Sequence, residues 1–239
     1  VGLALHEKDE GLLSQYGEGF GLGLPTGLDA LVEEGGLMPG PEWKQEALGA
    51  IWYPGDTVNL AIGQGYLRVT PLQVARMMAA VANGGTLYQP YIVERIEAGA
   101  TQPAEVTEPE AGGDLPISPD HLAALQAGLL GVTANESIGT ASHRFRGLDI
   151  PVAGKTGTAE AGGADAEPHS WFAAYAPADD PEIAVAVVAE NAGEGSTVAA
   201  PLARQVIEAY YGLPISDLPK DAQERYDPPT PTPAETEEP

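Results

Sequence analysis

The chain reads as a mixture of helices and strands, with most helical signals before residue 145 and the strand signals clustered after it. Three observations carry this reading. Thr70-Pro71 places a hydroxyl N-cap before a proline at the first helical position, and Leu72, Val74, Ala75, Met78, Val81 and Ala82 then recur at helical spacing until Asn83-Gly84-Gly85. Ser118-Pro119-Asp120 opens a second helix with Leu122, Leu125 and Leu129 on one face. Strand patterns follow at about 149–158, at Trp171 to Ala176 and at Glu182 to Glu190, and Pro177 to Pro181 is short enough to join the last two as an antiparallel hairpin.

The remaining elements follow in chain order. Val1 to Leu5 reads as the tail of a helix whose beginning is missing. The first residue is Val rather than Met, which predicts a cut or processed start. Tyr16 to Gly27 carries closely spaced glycines and reads as loop, since glycine admits positive φ and close backbone approach. Residues 28–57 read as irregular, with Pro39, Gly40, Pro41 and Tyr53-Pro54-Gly55-Asp56 as turn signals. Leu87 to Ile96 is predicted as a strand, on an edge because of Pro90. Residues 98–117, rich in proline, glycine and acids, are predicted as a surface excursion, and Glu136 to His143 as a short helix. The strand from Glu182 is apolar on both parities, the signature of a strand covered on both faces. A closing helix carries Leu202, Val206, Ala209 and Tyr210 and stops at Gly212-Leu213-Pro214, with Tyr210-Tyr211 read as core packing. From Pro214 to the end there are seven prolines and seven acids, too little apolar surface to offset ordering, so 214–239 is predicted as a disordered acidic tail after a domain at 1–213.

Composition narrows function. With 35 acidic against 11 basic residues the net charge is −24, which argues against nucleic-acid binding and requires local donors for any anionic substrate. The absence of cysteine removes thiolate nucleophiles, disulfides and cysteine metal sites together. The four histidines are scattered without ligand spacing, so neither a metal nor a cofactor is expected. No apolar run approaches the ~20 residues of a membrane span.

The most informative short stretch is Gly154-Lys155-Thr156-Gly157-Thr158-Ala159-Glu160, which sets one of only four lysines at the end of an apolar strand pattern. A phosphate loop is excluded, because Asp149 stands where its first glycine belongs and no helix can continue through Gly162-Gly163 and Pro168. The glycines of residues 16–27 fit no dinucleotide fingerprint. As a strand edge the stretch makes chemical sense. Thr156 and Thr158 fall on one face, where two hydroxyls can bind a carboxylate; Gly157 admits a substrate backbone; the Thr158 amide can donate to a developing oxyanion. Lys155 has the opposite parity and must reach such a site from the strand's end or across a twist. His169-Ser170 is no hydrolase dyad, because neighbours on a strand face opposite ways. Ser196 lacks the surroundings of a nucleophile elbow and reads as a helix cap.

Lys155-Thr156-Gly157-Thr158 resembles the third motif of penicillin-binding proteins and serine β-lactamases. The longer run from Trp52 through Gly55-Asp56-Thr57, Ile62-Gly63-Gln64-Gly65 and Val69-Thr70-Pro71-Leu72-Gln73 to Ala75 is more specific. It resembles class B penicillin-binding proteins, the transpeptidases of peptidoglycan synthesis, in wording nearer the elongation than the division type. Phe20-Gly21, Pro25-Thr26-Gly27-Leu28-Asp29 and His169-Ser170-Trp171-Phe172 match as well, so the resemblance covers about residues 16 to 212. The family nucleophile, a serine in S-x-x-K, and the serine of S-x-N are absent: none of the seven serines is followed at three places by lysine or at two places by asparagine. In the family both motifs lie upstream of the glycine-rich loop, which predicts truncation rather than a degenerate enzyme.

The resemblance implies an α+β fold, an antiparallel sheet flanked by helices, with the strand at 152–158 bordering the cleft. It implies D,D-transpeptidation of a D-Ala-D-Ala stem peptide through a serine acyl-enzyme, acylation of the full-length protein by β-lactams, and no cofactor. Lys155 would stabilise charge and orient the second-motif serine, Thr156 and Thr158 would bind the terminal carboxylate, Gly157 would admit the substrate backbone, and the Thr158 amide would serve the oxyanion. Implied partners are a lipid-linked glycan polymerase and other elongation proteins, on the outer face of a membrane that anchors the parent. The alternative is an inactive scaffold or binding module of the cell-wall machinery. Either way, an exposed sheet edge where upstream strands should pair is an aggregation hazard.

Overall fold

The computed structural model describes residues 1–28, 31–99, 103–160, 162–163 and 166–226. Two short helices lead, α1 (Gly2–Lys8) and α2 (Leu12–Gly19). Part of the expected glycine loop is therefore helical. Gly17 sits inside the reach of the Met38 side chain, and a Cβ on Gly19 would lie 2.7 Å from Pro116 Cγ, so these glycines serve close packing rather than a turn. The loop begins after them, where Gly21, Gly23 and Gly27 take φ of 84°, 83° and 89°; Asp29 lies outside the described residues.

The region 28–57, read as irregular, contains α3 (Pro41–Leu48) and the start of α4 (Pro54–Leu60). Both prolines occupy the first turn, where a missing N–H costs nothing, and Gly49 closes α3 at φ 62°. The apparent turn Tyr53–Asp56 is a helix start, with Asp56 accepting the Tyr53 amide at 2.7 Å.

α5 (Pro71–Ala82) follows prediction: Thr70 Oγ1 accepts Gln73 N and Gln73 Oε1 accepts Thr70 N, each at 3.2 Å. The predicted strand over Leu87–Ile96 is instead two, β1 (Thr86–Tyr88) and β2 (Arg95–Ile96), interrupted where Pro90 has no N–H to donate. They pair in separate antiparallel ladders with β4 (Ala111–Asp114) and β3 (Glu105–Val106) respectively, in an excursion that is exposed except at anchors such as Leu87 and Leu115.

α6 (Pro119–Ala134) is capped by Ser118 as predicted, but Leu125 is exposed and Thr133 joins Leu122 and Leu129 on the buried face. The Asn135 side chain then accepts the amides of Ser137 and Ile138, turning the chain, so the short helix predicted at 136–143 is displaced to α7 (Ser142–Phe145).

The centre of the domain is the antiparallel sheet β5 (Ala153–Ala159), β6 (His169–Ala176) and β7 (Ile183–Ala189), in that order. Its alternation is strict. Phe172, Ala174, Ala176 and Val185 pack with Phe145 of α7 and with Ala203 and Ile207 of α8 (Ala199–Tyr210). Ala153, Ala173 and Tyr175 pack with Met78 and Val81 of α5 and Leu122 and Leu129 of α6. β7 is thus covered on both faces, as its double apolar parity requires. On α8 the predicted stripe is not the buried one: Val206 and Tyr210 are exposed while Ala199, Ala203 and Ile207 are fully buried, so the sheet receives the helix's small side; of the tyrosine pair, Tyr211 packs on the core as expected, and exposed Tyr210 meets it edge-on. Small residues let α8 lie close to the sheet, a preference that a count of large apolar residues conceals.

The segment after Pro214 departs from the expected disorder as far as Tyr226; residues 227–239 lie outside the described residues. Ser216 is held by Glu208, which accepts its amide at 2.7 Å and its hydroxyl at 2.9 Å. α9 (Lys220–Gln223) buries Ala222 completely against Ala189, Ala192 and Val198. Leu218 and Tyr226 pack on the same cluster, and with the polar tethers these few contacts offset the ordering.

Candidate active site

β5 is an edge strand: among the described residues only β6 pairs with it. Thr156 stands opposite Phe172 and Thr158 opposite Ser170, so both threonines lie on the α7–α8 face, while Lys155, opposite Ala173, and Gly157, opposite Trp171, take the other. The parity split read from sequence is therefore present. Lys155 is exposed and turns to the strand's outer edge, where its Nζ donates to Thr156 O at 2.8 Å. Gln64, in the turn after α4, donates Nε2 to Thr158 O at 3.2 Å on that same edge. No ion pair among the described residues includes Lys155.

The threonine hydroxyls are held from the sheet face. Thr156 Oγ1 shares a hydrogen bond of 2.9 Å with Thr140 Oγ1, and Thr158 Oγ1 accepts Gly195 N at 3.4 Å. Gly195 belongs to the loop between β7 and α8. Buried Ser170 fixes this loop: its Oγ donates to Glu194 O at 2.9 Å and accepts Ala199 N at 3.0 Å. The first amide of α8 is thus capped from β6, not by Ser196 as predicted; Ser196 contributes its carbonyl to Arg144 Nε at 2.8 Å. His169 accepts Asn191 N through Nδ1 at 3.0 Å and forms no dyad with Ser170.

Behind Gln64 a cavity of about 290 Å³ is lined by Pro39, Trp52, Asp56, Asn59, Gln64 and Tyr66, with Leu60 and Gly65 completing its wall. Beside it Lys44 is buried, paired with Asp56 at 2.6 Å, with its Nζ 5.2 to 5.8 Å from the ring centres of Trp52, Tyr53 and Tyr66. Burial pushes the Asp56 carboxyl up, but the Lys44 hydrogen bond, the Tyr53 amide and the Lys44 and His6 charges outweigh it, leaving the carboxyl below its ordinary value. This pair ties α3 to α4 and so supports the turn that carries Gln64.

The structure brings Lys155, Thr156, Gly157 and Thr158 together as one edge. It adds Thr140, Gln64 and Gly195, which sequence reasoning did not single out. Gln64 lies within the quoted family run, and Ser170 within the matching stretch His169-Ser170-Trp171-Phe172. Among the described residues no group of three His, Cys, Asp or Glu is arranged to hold a metal, and no helix is long and apolar enough to cross a membrane.

The penicillin binding protein transpeptidase domain model matches residues 4–208. A peptidoglycan D,D-transpeptidase MrdA of Haemophilus influenzae is 37% identical over 223 residues, 87% of this chain and 34% of that protein. The PBP2 of Pseudomonas aeruginosa, solved in complex with WCK 5153, superimposes with a TM-score of 0.73 at 34% identity, over 90% of this chain and 46% of that one. A chain solved for the structural coordination of polymerization and crosslinking by a peptidoglycan synthase complex gives 0.73 at 36%, over 88% and 35%. The chain thus spans about a third of the curated MrdA relatives' length. The antiparallel sheet between two helical layers, the Lys-Thr-Gly-Thr edge and these matches place the chain in the penicillin-binding protein transpeptidase domain family, of the class B type represented by PBP2 and MrdA.

Proposed function

We propose that this chain forms one wall of a D,D-transpeptidase site that cross-links peptidoglycan during cell-wall elongation. The observation that carries the reading is the β5 edge, where a cation, two hydroxyls on one face and a backbone amide occur within four residues. In the reaction, a serine hydroxyl attacks the penultimate D-Ala carbonyl of a stem peptide and loses its proton to a base. The tetrahedral oxyanion collapses with loss of D-Ala, and the amine of a second strand then displaces the serine to form the cross-link. The Thr158 amide donates to the oxyanion. Thr156 and Thr158 hydroxyls take the terminal carboxylate, which a chain of net charge −24 must hold by local donors. Gly157 leaves room for the substrate backbone, and Lys155, released from Thr156 O, supplies positive charge.

The nucleophile is not among these 239 residues, since neither S-x-x-K nor S-x-N occurs. It comes from a segment outside them. β-Lactams acylate that serine by mimicking D-Ala-D-Ala. The partners are a glycan polymerase and other elongation proteins, at the outer face of the membrane, a reading supported by the peptidoglycan synthase complex that contains a similar chain.

A fluorescent penicillin tests this. The 239-residue chain stays unlabelled, and a longer polypeptide that adds S-x-x-K and S-x-N in frame is labelled near one to one. Labelling of the short chain overturns the assignment of the nucleophile. Failure of the long one to label favours the inactive scaffold.

A further inference from the structure

We infer that the segment 216–226 is a brace for the active-site edge, with Asp221 and Arg144 as positioning residues for the Thr158 hydroxyl. This rests on the transpeptidase reading of β5.

The brace begins where the Arg144 guanidinium, its side chain only 11% exposed, donates Nε to Ser196 O at 2.8 Å and both terminal nitrogens to the Asp221 carboxylate. This fork sets the plane of the guanidinium, and with it the position of the Ser196 carbonyl. The Arg144 hydrogen bond holds the Asp221 carboxyl below its ordinary value. Ser196 follows Gly195, whose amide donates to Thr158 Oγ1 and whose α-carbon rests on the backbone of Gly157 and Trp171 without space for a side chain.

A second tether reaches the loop's other end. Arg225 pairs with Glu167 at 3.2 Å and its guanidinium crowds Gly193, while Gly193 N donates to Pro168 O at 2.9 Å. Between the tethers Ala222 is fully buried against Ala189, Ala192 and Val198, which flank the loop. A segment whose composition predicts disorder thus clamps the loop at both ends. Among the described residues, the hydrogen bond that this loop gives to the proposed ligand-binding hydroxyls comes from the Gly195 amide. Its 3.4 Å bond is the longest in the chain of contacts and the first to be lost if the loop shifts.

Breaking the fork therefore alters ligand binding before it alters the fold. The test has two arms with Asp221→Asn and the conservative Asp221→Glu. In the 239-residue chain, hydrogen exchange of the Gly195 to Thr197 amides rises about 10-fold in Asp221→Asn while the amides of β6 stay as in wild type. In the longer polypeptide carrying S-x-x-K, penicillin acylation is split into its binding constant and its first-order step. The binding constant weakens about 10-fold in Asp221→Asn, the first-order step is unchanged, and Asp221→Glu restores most of the loss. Unchanged exchange in the loop, or acylation losses that merely track a general loss of stability, overturn the brace. If the wild-type longer polypeptide does not acylate, the transpeptidase reading fails and the exchange arm alone decides the brace.

Discussion

Gly195→Ala is a sharp test of how the loop sits on the sheet. The φ of Gly195 is not in the left-handed region, so alanine meets no backbone objection there. The obstacle is contact: a Cβ would come under 3.0 Å of Trp171 O, Gly157 O and Gly157 N, the last at 2.8 Å. All three are backbone atoms of a paired ladder and none can rotate away. Overpacking against yielding side chains costs about 1–3 kcal/mol, and here the upper end applies, about 3 kcal/mol. For a chain of this size that lowers the melting midpoint by ~6–12 °C. Gly49→Ala separates sterics from conformation, because Gly49 has φ 62° but open space, and should cost about 1–2 kcal/mol from backbone strain alone. Urea or thermal unfolding of the 239-residue chain measures both. A Gly195→Ala variant within about 0.5 kcal/mol of wild type would refute the close seating of the loop.

Three further outcomes follow from named contacts. Gln73→Ala removes the donors to Leu24 O and Gly35 O and the acceptor for Thr70 N, so it should cost about 2–4 kcal/mol and expose the glycine loop to proteolysis, a loss below 1 kcal/mol counting against it. The carboxyls of Glu33, Asp56, Glu208 and Asp221 are all below their ordinary values. In acid the unfolded chain therefore takes up protons first; stability is full above the ordinary carboxylate pKa of about 4 and falls as pH drops through the lowered values. Urea midpoints from pH 7 to 3 check this, and Lys44→Met should flatten the Asp56 share of the fall; midpoints that rise on acidification would exclude the assignment. Gln64→Ala frees Thr158 O and should tighten penicillin binding in the longer polypeptide several-fold, whereas weaker binding would make Gln64 a ligand contact instead of a competitor.

How much of this was legible depended on where the residues put their information. The helix at 71–82 and the three central strands are readable, because Thr70 caps locally and the strands are short apolar runs bounded by turn residues. The parity of Lys155 against Thr156 and Thr158 is readable because side chains alternate along a strand. α3 and the start of α4 are not legible, because a proline in a first helical turn has the same local signature as one in a turn. The buried side of α8 was missed because alanines, not leucines, face the sheet. The contacts that complete the site join residues far apart in sequence: Thr140 to Thr156, Gln64 to Thr158, Ser170 to Glu194 and Ala199. The sheet register, the packing of α7 and α8 and the turn after α4 bring them together. The order in 216–226 is hidden because it rests on a few scattered contacts, the tethers at Asp221 and Ser216 and the packing of Leu218, Ala222 and Tyr226, that composition does not register.

The outer edge of β5 has a consequence of its own. Bare strand edges recruit other strands, including those of neighbouring molecules. Here two outward carbonyls are already occupied, Thr156 O by Lys155 and Thr158 O by Gln64, both through side chains that can swing away. An incoming strand must displace two hydrogen bonds, about 1–3 kcal/mol together, and a casual apolar segment has nothing to offer in return. In the proposed transpeptidase reading, a peptide ending in a carboxylate does, because the freed ammonium and the threonine hydroxyls would then meet a charge. On that reading, the same two side chains that keep the edge from sticking to itself would reserve it for an anionic chain end.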